Sequence, residues 1–353
     1  MPPAAHLRSP RAWQSLATVV LAAAVPMAST GFVATAGAPA PAPAAQRPDN
    51  ASRLVSDVAG PGQKRSISVY SASMDKEIPL DVLRPKDTST PAPTLYLLNG
   101  TGGGTGKVTW EQQTDIAEFF ADKHVNVVTP QAGFASYYTD WLKDDPVLGR
   151  NKWTTFLTKE LPPIIDAHFG ANGENAITGM SMSGTSVLSL AISAPGLYNS
   201  VASFSGCAMT SDPVGQRYVE LVVENRGKGN SENMWGPKSG QGWKDNDPFV
   251  NAEKLRGVPM YIASRTGAPG QYDTFDNPRV EGSPVVLANQ IVVGGVIEAA
   301  TNECTHRLAD RLDALGIPAT FAFEPTGSHS WGYWQDDLHK AWPMLARSMN
   351  LEP

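Results

Sequence analysis

The chain has 353 residues, 41% hydrophobic and 18% charged, with a formal net charge of −6. That length and apolar content suit one large α/β domain or two small ones. No Lys/Arg tract stands out, so the electrostatic footprint of nucleic-acid binding is missing and that function class is excluded.

The first segment reads as an export leader. Arg8 and Arg11 give a positive start, residues 16–27 an apolar stretch, and Ala34-Thr35-Ala36 a small-residue cleavage site. The apolar stretch is short for a membrane span. Residues 1–36 are therefore read as a signal peptide, 37–63 as an Ala/Pro-rich linker and 64–353 as one folded domain. No later apolar run reads as a span, so the expectation is a secreted or cell-envelope protein with no stable membrane span after signal cleavage. The two cysteines, Cys207 and Cys304, point in an exported chain to one disulfide. Such a bridge closes a long loop and contributes roughly 3–5 kcal/mol in the chain-entropy model.

Beyond the linker, candidate strands fall at 66–71 and 78–83, an opening antiparallel pair, then at 94–98, 125–129, 175–178, 201–205, 259–264 and 319–323. Candidate helices fall at 110–122, 152–167, 183–193, 301–315 and 334–347. This alternation predicts a mostly parallel central sheet of about eight strands with helices on both faces. Residues 208–257 interrupt the rhythm and are rich in Gly, Asn and Trp. With little regular pattern beyond 218–224, they read as an irregular insertion near the site, a common place for a cover.

Gly179-Met180-Ser181-Met182-Ser183 lies between the strand at 175–178 and the helix at 183–193. Strand, sharp turn with small residues around a serine, then helix is the nucleophile elbow of the α/β-hydrolase fold. Ser183 stands where the common pattern has glycine. A serine hydroxyl needs a base, and His329 follows the last strand, where this fold places it. Asp273, Asp276, Glu281, Glu298 and Glu303 lie in the interval open to the acid, and spacing alone does not choose among them. The oxyanion hole needs two N–H donors. Met182, after the nucleophile, is one; Thr101, in the glycine-rich loop 99–106, is the other. That loop is no phosphate cradle, because Lys107 is not followed by Ser or Thr.

Several segments then stand together: Leu97-Leu98-Asn99-Gly100, Tyr138-Thr139-Asp140-Trp141, Gly179-Met180-Ser181-Met182, Met234-Trp235-Gly236-Pro237, Asn246-Asp247-Pro248 and His329-Ser330-Trp331-Gly332-Tyr333-Trp334. In this order they resemble the secreted mycolyltransferases of mycobacteria and corynebacteria, the antigen 85 family within the esterase D-like group. The resemblance implies transfer of a mycolyl group from trehalose monomycolate to a second trehalose monomycolate or to cell-wall arabinogalactan. Trehalose mycolates and cell-wall polysaccharide are then the partners, and neither cofactor nor metal is called for. It implies Ser181 as nucleophile, His329 as base and Glu298 as acid, on a segment before the helix that precedes the last strand. It supports Thr101 and Met182 as oxyanion donors. Asn99, Trp141, Ser330 and Trp331 are the substrate contacts it suggests, core packing being the alternative for the two tryptophans. One departure matters: the family often has Asp-Gly-Leu-Arg where this chain has Asn99-Gly100-Thr101-Gly102, and Gly102 offers a sugar no cation. The competing readings are a secreted carboxylesterase or feruloyl-type esterase, and a silent carbohydrate-binding relative. The silent relative predicts loss of the serine or histidine, and both are present.

Overall fold

The alternating apolar runs become one sheet of nine strands, ordered β1-β2-β3-β5-β4-β6-β7-β8-β9. The strands are β1 (Arg53–Ala59), β2 (Lys64–Ser71), β3 (Lys76–Leu83), β4 (Thr94–Leu98), β5 (Asn126–Pro130), β6 (Asn175–Met180), β7 (Ser200–Phe204), β8 (Met260–Arg265) and β9 (Thr320–Glu324). The computed structural model describes residues 51–353. The predicted leader and residues 37–50 of the predicted linker lie outside the described residues.

β1, β2 and β3 pair antiparallel, and β3 pairs antiparallel with β5; from β5 to β9 every pairing is parallel. Every residue of β4, β5, β6, β7 and β8 is buried. That burial is why these strands read as near-continuous apolar runs rather than as alternation. One apolar layer gathers Ile78, Trp153, Val187 and Met260 on one face of the sheet. A second gathers Leu97, Trp110, Trp331 and Trp342. The mostly parallel sheet with helices agrees with the expected fold class.

Four local expectations need correction. Strand β1 lies inside the stretch expected as linker. Its register shifts between Leu54 and Ser56, and such a bulge erases the two-residue period that marks a strand. The helix expected at 110–122 is two single turns, Trp110–Gln113 and Ile116–Phe119, because the Thr114 hydroxyl and N–H both turn back onto the Trp110 carbonyl. The 208–257 insertion is largely helical: Pro213–Glu220, a π-turn Leu221–Arg226, Ser231–Trp235 and Gln241–Asp245. These pieces are short and closed by caps such as Asp212 and Asn230, so no helical period builds up.

The helix expected at 301–315 starts earlier. Pro284–Asn289 runs through a π-turn, Gln290–Gly294, into Gly295–Ala314. The joined run Pro284–Ala314 is long and apolar enough to cross a membrane by length and composition, its best window having a mean hydropathy of 1.4. The sequence reading found no such run, since Asn289, Gln290 and the paired Gly294-Gly295 break it into short pieces on paper. In the fold this helix is an arm of the site, with Glu298 and Cys304 buried along it.

Candidate active site

Ser181 ends the turn between β6 and the helix Met182–Ser193 with φ 58° and ψ −124°. A non-glycine residue at positive φ is strained, and such strain persists where the surroundings over-determine it. Gly179 allows the turn: a Cβ there would lie 2.6 Å from Ser183 Oγ and 2.7 Å from the Ser183 carbonyl oxygen. Ser183, at the position the elbow pattern gives to glycine, is fully buried. Its Oγ accepts from Met180 N–H at 2.9 Å, and its single O–H lies within reach of the Leu98 carbonyl at 3.1 Å and the Met180 carbonyl at 3.0 Å. The departure from the pattern thus ties the elbow to β4.

The loop after β9 brings His329 to the serine. His329 Nε2 lies 2.8 Å from Ser181 Oγ, and Nδ1 lies 2.8 Å from Glu298 Oε2. Of the carboxylates open to the sequence reading, Glu298 is the one that touches the imidazole. It sits in the first turn of Gly295–Ala314 rather than on a segment before the helix. Its Oε1 accepts from Ser205 Oγ and from Arg265 N–H, each at 2.9 Å. Ser205 Oγ in turn accepts from Trp334 Nε1 at 3.0 Å, and the Trp334 ring stands edge-on to His329 at 4.8 Å. Both oxygens of this fully buried carboxylate thus have donors. Ser205 and the Arg265 N–H were missed in the sequence. The available signal was that the end of β7 lies beside the elbow strand in such a sheet, with the end of β8 next to it.

Asp273 serves elsewhere. Its buried carboxylate accepts from Ser328 Oγ, Tyr333 OH, Gln290 Nε2 and Gly270 N–H. Burial pushes its carboxyl up, but these hydrogen bonds outweigh burial and hold it below the ordinary value of 3.8.

Thr101 and Met182 line the cleft with Ser181 and His329. Met182 is the first residue of its helix, where an N–H has no intrahelical acceptor. The remaining wall includes Tyr137, Ile297, and Leu221 and Val222 of the insertion 208–257. Tyr137 comes from a loop in which Ala135, Tyr137 and Tyr138 all have positive φ, and its N–H donates to Met182 Sδ at 3.3 Å. The strained loop is thereby tied to the residue that follows Ser181.

The four expected substrate contacts are placed in the interior instead. Asn99 is fully buried, donating to the Pro130 carbonyl and accepting from Trp110 N–H. Trp141 is 1% exposed and donates to the Ser136 carbonyl. Trp331 is wedged between Trp110 and Trp334 at 5.4 and 5.3 Å. Ser330 is buried at the N-cap of Trp331–Ser348, its Oγ 3.4 Å from Ser328 Oγ, whose proton goes to Asp273. Burial and occupied hydrogen bonds leave these groups to the fold. Cys207 and Cys304 are joined by a disulfide, which fixes the turn after β7 to the helix that carries Glu298.

A family model described as "Putative esterase" matches residues 71–345. The diacylglycerol acyltransferase/mycolyltransferase Ag85A of Mycobacterium leprae is 30% identical over 295 residues, 81% of this chain and 84% of the relative. The corresponding Ag85B of Mycobacterium avium is 28% identical over 350 residues, 97% of this chain and 96% of the relative. Among solved structures, Mycobacterium tuberculosis MPT51 superposes with a TM-score of 0.68 at 24% identity, over 82% of this chain and all of MPT51; at that identity the likeness speaks for the fold. The chain belongs to this esterase family and, within it, to the antigen 85-like mycolyltransferases.

Proposed function

We propose that the protein is a serine acyltransferase that moves a long-chain acyl group, a mycolyl group, from a trehalose ester to a sugar hydroxyl. The observation that carries this is the unbroken chain Glu298–His329–Ser181, with 2.8 Å at both links. Glu298 accepts a hydrogen bond from His329 Nδ1–H and so holds the neutral imidazole with its Nε2 lone pair toward Ser181. His329 takes the hydroxyl proton as Ser181 Oγ attacks the ester carbonyl. Thr101 and Met182 N–H groups stabilise the oxyanion. Collapse expels trehalose, whose leaving oxygen takes the proton from His329, and Ser181 remains acylated. An acceptor hydroxyl then gives its proton to His329 and attacks the acyl-enzyme carbonyl; the ester bond to Ser181 breaks, and Ser181 Oγ takes the proton back from His329, which restores the free hydroxyl and the neutral imidazole. The apolar wall of Leu221, Val222 and Ile297 suits an acyl chain and keeps water from the ester. With its leader, the protein would act in the cell envelope.

Purified protein incubated with trehalose monomycolate tests this. Transesterified glycolipid is the expected product. Free acid alone would make the protein a carboxylesterase. Ser181→Ala removes the nucleophile and should lower turnover by roughly 10⁴-fold or more; retained turnover in that variant ends the assignment.

A further inference from the structure

Most polar side chains around the cleft are spent inside the protein. Ser205 Oγ donates to Glu298. Thr185 Oγ1 donates to the Cys207 carbonyl and accepts from the Cys207 N–H, and Thr301 Oγ1 donates to the Glu298 carbonyl. Arg226 is different. It lines the cleft with Ser181 and His329 and is exposed. Among the described residues no carboxylate pairs with it: Glu220 is taken by Lys238 and Arg217, and Glu224 by Ser231. None of the described side chains lining this cleft is acidic, so the guanidinium meets it with its fork of donors unmatched.

The fold sets where that cation stands. Tyr218, Leu221, Val222 and Arg226 all line the cleft. Gly227 N–H donates to the Val222 carbonyl at 2.9 Å, and this wide π spacing swings Arg226 back onto the face of Leu221. Tyr218 packs at the disulfide end of that face. The Arg226 end meets the glycine-rich loop: a Cβ at Gly227 would lie 2.6 Å from Ala135 Cβ, and Ala135 N–H donates to the Thr101 carbonyl at 2.9 Å. Phe134 is 42% exposed, and its backbone crosses Gly103 so closely that a Cβ there would lie 2.3 Å from Phe134 N. Gly102 leaves this part of the loop without a cation of its own. We infer that Arg226 binds the sugar of the acyl donor: its N–H fork donates to neighbouring sugar hydroxyls, and the Phe134 ring backs an apolar sugar face. An exposed ring beside the cation favours a sugar over a bare anion, which uses the charge alone. The inference rests on the acyl-transfer reading above and adds the residue that selects the donor.

Calorimetric titration of trehalose into Ser181→Ala protein, which binds without turning over, tests the inference. Arg226→Gln in that background should weaken trehalose binding by roughly ten- to a hundredfold, the scale of one or two charge-assisted hydrogen bonds. Phe134→Ala should weaken it by about fivefold. Arg226→Lys keeps the charge without the fork and should fall between wild type and Arg226→Gln. With Ser181 intact, Arg226→Gln should raise KM for trehalose monobutyrate by about tenfold or more relative to its effect on p-nitrophenyl butyrate, which has no sugar. Equal losses on the two esters overturn the inference, by making Arg226 a support of the fold or of the acyl wall. Trehalose binding that is indifferent to Arg226→Gln, or absent from the Ser181→Ala protein, also overturns it. So does inorganic phosphate that binds at Arg226 more tightly than trehalose and displaces it, by making an anion the ligand. The acyl-transfer reading fails on other measurements: free acid as the sole product, or no Ser181-dependent turnover of the aryl ester.

Discussion

Glu298 uses both oxygens inside the protein: one toward His329, the other held by Ser205 Oγ and Arg265 N–H. The arrangement fixes the imidazole and keeps a buried negative charge solvated by dipoles. Glu298→Gln preserves size but removes the charge that would stabilise an imidazolium, and its amide N–H₂ can face Nδ1 and favour the wrong tautomer. We expect turnover of a soluble ester to fall by roughly 10³- to 10⁴-fold with little change in KM. Steady-state kinetics with matched thermal unfolding checks this, and near-normal turnover would remove Glu298 from the proposed triad. Ser205→Ala is a milder test of the same chain. It takes one donor from the carboxylate and leaves Trp334 Nε1 without its acceptor, so turnover should fall by about tenfold, the scale of one charge-assisted hydrogen bond. Ser183→Gly would restore the common elbow pattern, yet it deletes the hydroxyl that ties Leu98 to Met180. It should therefore destabilise by about 1–3 kcal/mol, read from urea unfolding.

At the scale of elements, the site depends on three segments reaching β6 from different parts of the chain. The disulfide joins the turn after β7 to the helix bearing Glu298 across 97 residues of sequence. Reduction should lower stability by about 4–5 kcal/mol in the chain-entropy model. Because that helix carries Glu298, turnover at temperatures below unfolding should fall as well; unchanged turnover in the reduced, still-folded protein would show that the bridge braces the fold alone. Asp273 joins the loop 270–273, the π-turn at Gln290 and the His329 loop at Ser328. Its folded-state carboxyl ionises below the ordinary value. A depressed acid contributes stability above its unfolded value, and that contribution is lost as pH falls through the folded value. Wild-type protein should therefore exceed Asp273→Asn in unfolding free energy at pH 7, with the gap closing below about pH 4. A gap independent of pH between 7 and 3 would contradict this. Other motif segments prove to be scaffold. Asp140 caps Thr155, and Thr139 Oγ1 donates to Asn246 and accepts from Trp235 Nε1, so three separated pieces of the family pattern meet in one support for the insertion.

At the scale of the whole molecule, what the sequence made legible follows from how local the cause is. The elbow was readable because a tight turn leaves its demand on adjacent letters, Gly179 above all. His329 was readable because the order of strands places the last loop over the elbow. The acid stayed open because its position depends on where a helix begins, and that is set by the π-turn at Gln290–Gly294, which no periodicity announces. Asn99 was misplaced, and Trp141 and Trp331 stayed open between substrate contact and core, because a polar or aromatic letter in a loop does not say which way the loop turns. The same blindness covers Arg265, an unpromising letter at the end of β8. Its guanidinium forms a bidentate pair with Asp337 of Trp331–Ser348 at 2.5 and 2.7 Å, with 3% and 0% of the two side chains exposed. The pair locks the C-terminal helix to the strand whose backbone N–H holds Glu298. Removing one partner leaves a buried charge unpaired, which costs about 3–5 kcal/mol, whereas removing both and filling the space with apolar atoms is often neutral. Asp337→Asn should therefore shift the urea midpoint strongly downward, while Arg265→Met combined with Asp337→Leu should recover most of the loss. If the double variant regains stability but not turnover, the ion pair positions Glu298 as well as the helix; if it regains both, packing alone carries the lock.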